Sequence, residues 1–324
     1  MLSVKIGIKP VLWICIAVIL LTASRIYLQK SSQVIVGIVN TAVDLDLIVK
    51  SFTTSLQSEM GHKNIKIISF NAGHDQGSLD DFLEYLFNEK PDVLVTLTSS
   101  VTAKVQKRFA GTQTPIIFAL VVDPVGSGFV ESIKRPGENL TGVRADSYEL
   151  KRLEWAMKLF PGLKTIHVNF NPDDMAMVKT LALLKAAAHS RHVNLRVVEY
   201  NSVESLMNSL SRMPEHHRLI WQLPSPAYSS RYEDFIQSAG NKNKIVLSHL
   251  PYWVKRGGLM TFGIQEESVA EQLMSYTRKI IDGISPAVLR VEHCEAQLLI
   301  NISTARDLGI HIPESLASQA IIIQ

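Results

Sequence analysis

Residues 115–143 read PIIFALVVDPVGSGFVESIKRPGENLTGV, and the fold turns on this stretch. An apolar run, Ile116–Val122, stands between Pro115 and the pair Asp123-Pro124. A short apolar run without alternation, closed by proline at both ends, predicts a strand buried on both faces. Pro124 has no N–H to give to a sheet ladder, so the strand ends there. Gly126 and Gly128 permit a sharp loop whose backbone amides can approach a ligand. After a polar link, Lys134–Asn139, the segment Leu140–Val143 predicts a second short strand, beyond which the chain is free to leave one domain for another.

Upstream, the apolar runs Val34–Val39, Ile65–Phe70 and Val93–Leu97 predict strands of the same buried kind. Between them, helical spacing covers Leu45–Met60, Leu79–Glu89 and a segment opened by Thr98, Ser99 and Ser100 and ending at Arg108. Downstream the plan repeats. Helices are expected at Tyr148–Phe160, Ala176–Ser190, Val203–Met213 and Ser229–Ala239. They alternate with strands at Thr165–Phe170, Leu195–Glu199, Leu219–Gln222 and Lys244–Leu247. Thr261–Ile264 is expected to lead the chain back to the first lobe, with Glu267–Asp282 a helix there. Val288–Ile302 reads as a hairpin or paired strands after a third crossover. Strand–helix alternation of this kind gives parallel sheets with helices on both faces.

The expected fold class is therefore α/β, with two Rossmann-like lobes of parallel sheet joined by a multi-stranded hinge. Residues 30–144 plus 265–284 form the first lobe and 145–264 plus 285–324 the second, with the last twenty residues open to either. A chain of 324 residues suits two such cores better than one.

Composition excludes several classes. Charged residues are 19% and hydrophobic residues 46%, which argues against disorder. Net charge is +3, and two of those charges, Lys5 and Lys9, lie in the N-terminal segment. The nearly neutral body lacks the concentrated basic face that a nucleic-acid partner needs. The cysteines are Cys15, within the N-terminal apolar segment, and Cys294, so no disulfide forms within the body, and Cys294 reads as a small buried hydrophobe.

At the N-terminus, Lys5 and Lys9 precede an apolar run, Val11–Ala23, that Arg25 ends. Basic residues, a short apolar stretch and then small residues are the layout of an export signal. The run is short for a spanning helix, which takes roughly 20 residues. Residues 1–29 are thus read as a signal peptide or as an uncleaved anchor, and both readings put the body on the export side of the membrane.

Several stretches carry a family resemblance: DPVGSGFVESI (123–133) followed by RPGENLTGV (135–143), VKRGGLMTFG (254–263), LLINISTARDLGIHIPESL (298–316), and the opening strand VIVGIVN (34–40). Together they resemble the ABC-transporter substrate-binding family whose best-known members bind tryptophan or tyrosine. The resemblance runs from about Gln33 to the C-terminus. It implies a type I periplasmic binding protein whose two lobes close on a small solute. It further implies a periplasmic location and delivery of the solute to an ABC permease and its ATPase, without a cofactor.

In parallel α/β sheets, ligands sit beyond the carboxyl ends of the strands. That rule selects Asn40, Thr41, Thr98, Ser99, Ser100 and Asp123 from the first lobe, and Asn169, Asn171, Ser225, His249 and Tyr252 from the second. Thr98–Ser100 supply hydroxyls and helix N-terminal amides, a site for a carboxylate or ordinary capping. Asp123 can bind an ammonium group or cap the loop before Pro124. Arg144, at the expected hinge, can pair with a ligand carboxylate or stand as a solvated charge. Tyr228, Tyr252 and Trp253 can stack on a flat ligand or line the cleft, and Trp221, within a strand, belongs to the core. LPSPAY (223–228) and SHLPYW (248–253) hold no acid. Burying an unpaired ammonium is costly, so this reading favours an aromatic or anionic solute over a zwitterion.

Signals for catalysis are missing. Gly126-Ser127-Gly128 begins like a dinucleotide-binding fingerprint, but Glu131 replaces its third glycine. The sequence has no P-loop, H-E-x-x-H or G-x-S-x-G. His216-His217 reads as a solvated pair and His293-Cys294 has no further ligand spacing, so neither a metal site nor an enzyme is expected. The competing reading is a sensory module that presents its closed form to a membrane receptor kinase; neighbouring genes for a permease and ATPase, or for a kinase, separate the two.

Overall fold

The structure, a computed structural model, describes residues 33–71, 76–146, 148–225 and 231–324. The N-terminal export segment, Cys15 and Tyr228 lie outside the described residues.

Two sheets organise the chain. The first holds β1 (Val34–Asn40), β2 (Ile65–Asn71), β3 (Val93–Leu97), β4 (Ile116–Val121), β5 (Leu140–Arg144) and β11 (Glu292–His293), in the order β11-β5-β4-β3-β1-β2 and all parallel. The second holds β6 (Thr165–Phe170), β7 (Asn194–Glu199), β8 (Leu219–Trp221), β9 (Ile245–Leu247), β10 (Met260–Ile264), β12 (Ala296–Asn301) and β13 (Ala320–Ile323). Its order is β13-β12-β10-β9-β8-β6-β7, with β12 antiparallel to β10.

The first sheet separates two cores. Val36, Ile38, Val95, Leu97 and Ile117 face α1 (Asp46–Met60) and α9 (Glu266–Ile281). Leu94, Ile116 and Phe118 face α2 (Gln76–Asn88) and α3 (Ser99–Arg108). β3 is buried at every residue, which is why its sequence is apolar without alternation. α1 buries Ile48, Phe52, Leu56 and Met60, a single stripe at four-residue spacing. The second sheet packs against α4 (Glu149–Leu159), α5 (Met175–Ser190), α6 (Val203–Arg212) and α7 (Tyr232–Asn241). α8 (Pro251–Val254) joins β9 to β10, and α10 (Ile302–Asp307) and α11 (Glu314–Ala317) lie between β12 and β13.

The chain passes between the sheets three times: from β5 to α4, from β10 to α9, and from β11 to β12. Two expectations change here. Thr261–Ile264 does not return to the first lobe: β10 pairs with β9 and β12 in the second sheet, and the return comes one residue later, at α9. Val288–Ile302 is not a hairpin, and residues 285–324 are not all in the second lobe. Glu292–His293 adds to the first sheet beside β5, and the chain then crosses so that Ala296–Asn301 can pair with β10. The last twenty residues end in β13, beside β12 in the second sheet.

The stretch 115–143 also explains its own glycine. The pairing of β4 with β5 slips between Ala119 and Val121, and Leu120 takes φ 60° to absorb the extra residue. β5 then runs so close to β4 that a Cβ on Gly142 would stand 2.0 Å from the Phe118 carbonyl oxygen. Gly142→Ala is expected to lower the unfolding free energy by about 2 kcal/mol through this backbone collision. Urea denaturation measures it, and an unchanged midpoint would refute the argument.

Candidate functional site

Residues beyond the carboxyl ends of parallel strands in the two lobes meet at Asp44, His249 and Trp253. On the first lobe, Asn40 ends β1, fully buried. Its Nδ2 donates to the Ala42 carbonyl at 2.9 Å and to Asp46 Oδ1 at 3.0 Å, and its Oδ1 accepts from the Ala42 N–H at 3.1 Å. Asn71 Nδ2, from the end of β2, donates to the same Asp46 oxygen at 2.5 Å. Asn40 therefore shapes the β1–α1 turn and aims Asp46, while Thr41 beside it is half-buried. Burial, with Asp44 adding like charge, holds the Asp46 carboxyl above the usual range against the lowering effect of Asn71 and Asn40.

Asp44 is one residue on which the lobes meet. Its Oδ2 lies 3.3 Å from His249 Nε2 and accepts from Trp253 Nε1 at 3.3 Å; both partners come from the second lobe. The Asp44 and His249 side chains are 7% and 8% exposed. Around this contact stands an aromatic wall. Tyr252 and Trp253 meet edge to face at 4.7 Å, Trp253 and Tyr232 at 5.4 Å, and Tyr232 and His249 at 6.3 Å. Arg256 covers the Tyr252 ring at 3.6 Å. Burial raises the Tyr252 phenol above its ordinary value, with Asp44 and Asp46 adding to the effect and Arg256 opposing it.

Thr98 sits between β3 and α3 with φ 77° and ψ 156°. A positive φ is a true outlier for a β-branched residue. Leu120, its neighbour at the end of β4, is strained in the same sense, and the Thr98 N–H donates to the Ala119 carbonyl at 2.9 Å. Strain of this kind persists where surrounding structure enforces it, often at ligand sites. The Thr98 side chain does not cap α3; its Oγ1 lies 3.2 Å from Ser100 Oγ. Ser99 and Ser100 open the helix, whose first N–H groups have no acceptor within it. The Thr98 and Ser100 hydroxyls thus stand together at a helix N-terminus, a setting that suits a carboxylate.

Asp123 and the glycine loop do something else. Asp123 Oδ1 accepts from the Gly126 N–H at 2.8 Å, and its carbonyl accepts from Ser127 at 3.0 Å. The N–H groups of Gly128, Phe129 and Val130 likewise go to the Val125 and Pro124 carbonyls. The loop spends its amides on itself and turns Phe129 into the core beside Phe118. The expectation that the amides of Gly126 and Gly128 face a ligand is corrected accordingly.

Arg144 ends β5 at the first crossing. Its Nη2 lies 3.4 Å from Asp146 Oδ1, and its Nε lies 3.0 Å from His293 Nε2, while His293 Nδ1 lies 3.0 Å from Asp146 Oδ2. This cluster ties the first crossing to the third. Nearby, the Tyr148 hydroxyl donates to the Cys294 carbonyl at 3.3 Å, and burial pushes both the phenol and the Cys294 thiol up to about 12.

On the second lobe, Asn169 is half-buried near the end of β6. Asn171 Oδ1 accepts from the Asp173 N–H at 3.0 Å, and Ser225 Oγ donates to Asp174 Oδ2 at 2.6 Å. Asn171 and Ser225 thus order their own loops, and Ser225 holds an acid, Asp174, at the carboxyl end of β6. Gln222, just past β8, is 4% exposed, and neither atom of its amide has a partner among the described residues; nor has His249 Nδ1. Trp221 is fully buried in the core.

Asp44, Asp174 and Gln222 were not among the residues selected from the sequence. The signal was present: Asp44 and Asp174 lie three residues beyond Thr41 and Asn171, after β1 and β6, and Gln222 stands directly after β8. The absence of acids from 223–228 and 248–253 is therefore no measure of the charge beside His249, because Asp44 enters from the loop after β1.

Comparison with known proteins agrees with this architecture. The tyrosine-binding protein of Clostridioides difficile (strain R20291) is 24% identical over 283 residues, spanning 82% of this chain and 77% of that protein. The ABC domain from Streptococcus pneumonia in complex with L-Trp superposes with a TM-score of 0.79 at 23% identity, covering 90% of this chain and 100% of that one. A conserved domain protein from Vibrio cholerae O1 biovar eltor str. N16961 gives 0.78 at 26% identity, covering 91% and 100%. The two lobes have the type I periplasmic-binding-protein fold. A sequence model of the family described as ABC transporter substrate binding protein matches residues 33–323, and with nearly the whole body matched, the chain belongs to that family.

Proposed function

We propose that this protein is the extracytoplasmic solute-binding component of an ABC importer, and that its cleft takes an aromatic amino acid as the zwitterion. The observation that carries the reading is the buried Asp44 carboxylate, set against His249 and Trp253 of the opposite lobe and flanked by Asp46. Paired acids among aromatic rings suit an ammonium group on a flat, apolar side chain. In this reading Asp44 and Asp46 hold the ammonium, and Thr98, Ser99, Ser100 and the start of α3 hold the carboxylate. Tyr252, Trp253 and Tyr232 contact the ring. The names of the relatives, a tyrosine-binding protein and a complex with L-Trp, support the same class.

Contacts on both lobes favour the closed form, and a permease with its ATPase recognises that form. Binding, closure and release then complete the cycle without chemistry or cofactor, in the periplasm, where only the N-terminal segment or the permease brings the protein to the membrane. Among the described residues no helix is long and apolar enough to cross a membrane.

Thermal unfolding tests the ligand class, since a ligand specific to the native state raises the melting temperature with occupancy. L-tyrosine or L-tryptophan is expected to stabilise the protein more than phenylpyruvate or indole-3-acetate at equal concentration. The reverse order would reject the zwitterion and restore the anionic solute favoured by the sequence.

A further inference from the structure

We propose that ligand capture by this protein is coupled to a proton through Glu266, a positioning residue whose carboxyl group is neutral in the closed form and ionised in the open one. The proposal rests on the reading of lobe closure given above, but not on the identity of the solute.

Glu266 is the first residue of α9, immediately after the crossing from β10. α9 packs on the first lobe. The Glu266 side chain is nevertheless 0% exposed, because α8 of the second lobe covers it. Lys255, at the end of α8, places Nζ 3.4 Å from Glu266 Oε2, and the Tyr252 N–H donates to the carboxyl group. Oε1 has no partner among the described residues. The helix that covers Glu266 is the one that carries Tyr252 and Trp253 to the site, and Trp253 reaches Asp44 across the cleft. Movement of the second lobe about the crossing at Gln265 lifts α8 from Glu266 and admits water to it.

The surroundings decide which protonation state the closed form prefers. Lys255 favours the charge, as does the N-terminus of α9. Glu267, on the same turn, opposes it and shares Lys255 at 3.6 Å. α1, alongside α9, carries Asp46 and Lys50 on its first turns and Glu59 at its far end, where Glu59 meets Arg278. The facing strands β3, β4 and β5 carry one charged residue, Arg144, which is paired with Asp146. One shared lysine does not offset the loss of water, and burial pushes the Glu266 carboxyl up to about 7. Exposed by opening, a glutamate returns to about 4.3. The closed form then holds the extra proton between these values. Closure is favoured as the pH falls through 7 and disfavoured as it rises above.

Calorimetric titration with L-tyrosine, paired with small-angle scattering of the ligand-free protein, tests the coupling. Affinity is expected to be about tenfold higher at pH 6 than at pH 8, with proton uptake on binding read from buffers of different ionisation enthalpy. Glu266→Gln, neutral in both forms, should bind equally at both pH values and more tightly than the wild type at either, with no uptake. Lys255→Met should move the midpoint to higher pH, which keeps the test available if Glu266→Gln fails to fold. The ligand-free protein should be more compact at pH 6 than at pH 8, and Glu266→Gln equally compact at both. A wild-type slope retained in Glu266→Gln overturns the proposal, as does a wild type whose compactness ignores pH. If scattering responds as expected while L-tyrosine binds at neither pH, the aromatic amino-acid reading fails and the proton coupling stands.

Discussion

Replacing Arg152 with methionine lowers the unfolding free energy by about 3–5 kcal/mol, the usual effect of breaking a buried ion pair and leaving one charge unpaired. Arg152 and Glu149 lie one turn apart on α4, with side chains 2% and 9% exposed, and their charged groups meet directly. Each has further partners. Trp221 Nε1 donates to Glu149 Oε2 at 2.7 Å, Arg152 Nη1 donates to the Ser248 carbonyl at 2.9 Å, and the guanidinium lies 4.5 Å from the centre of the Trp221 ring. Arg152→Met keeps the bulk and removes the charge, so Glu149 is left buried with Trp221 alone. The double variant Glu149→Leu, Arg152→Met removes both charges and should recover most of the loss. The pair also grips the backbone beside His249, so the single variant should weaken ligand binding beyond its effect on folding. Urea denaturation of the three proteins decides the matter. A loss below about 1 kcal/mol in Arg152→Met would mean that water reaches the guanidinium and that the network contributes little.

The same network shows where the sequence was legible. Trp221 stands in an apolar strand and reads as core, which it is, yet nothing local announces that its indole holds a glutamate from α4. Strands buried on both faces, such as β3 and β4, declare themselves by uninterrupted apolar residues, and helices such as α1 by four-residue spacing. Lobe membership is a matter of long-range pairing. Thr261–Ile264 has the same apolar character whichever sheet it joins, and its antiparallel partner, Ala296–Asn301, lies more than thirty residues away in sequence. The two-residue strand Glu292–His293 carries no pattern at all. The loop at Asp123–Gly128 failed for another reason: glycines that let amides approach a ligand also let them bond to their own loop, and composition does not separate the two. The strand-end rule brings forward Asn40, Thr98 and His249 as candidates, but after β1 it stops at Thr41. The turn after β1 carries the chain back so that its fourth residue, Asp44, faces the other lobe.

Asp44→Asn is expected to weaken L-tyrosine binding by about 2–4 kcal/mol, or roughly 30- to 1,000-fold. The substitution keeps the shape of the side chain and leaves it able to accept from Trp253 Nε1, so the lobe contact persists in part. It removes the negative charge that faces His249 and Trp253 of the second lobe. Asp46 cannot fully replace it, because one of its oxygens is committed to Asn40 and Asn71. An ammonium group brought into this site then lacks its partner, and a desolvated charge without a partner is the costly outcome. The control is Asp123→Asn. Its carboxylate is tied to the Gly126 N–H on an exposed loop, so affinity should not change. A ligand without the amino group supplies the second control: indole-3-acetate should lose nothing in Asp44→Asn and is expected to gain. Calorimetry with both ligands on the three proteins gives the comparison. Equal losses for L-tyrosine and indole-3-acetate would show that Asp44 acts through the fold or through closure alone. An L-tyrosine loss confined to Asp123→Asn would move the ammonium site to the rim of the first lobe, where the loop after β4 would have to open to bind it.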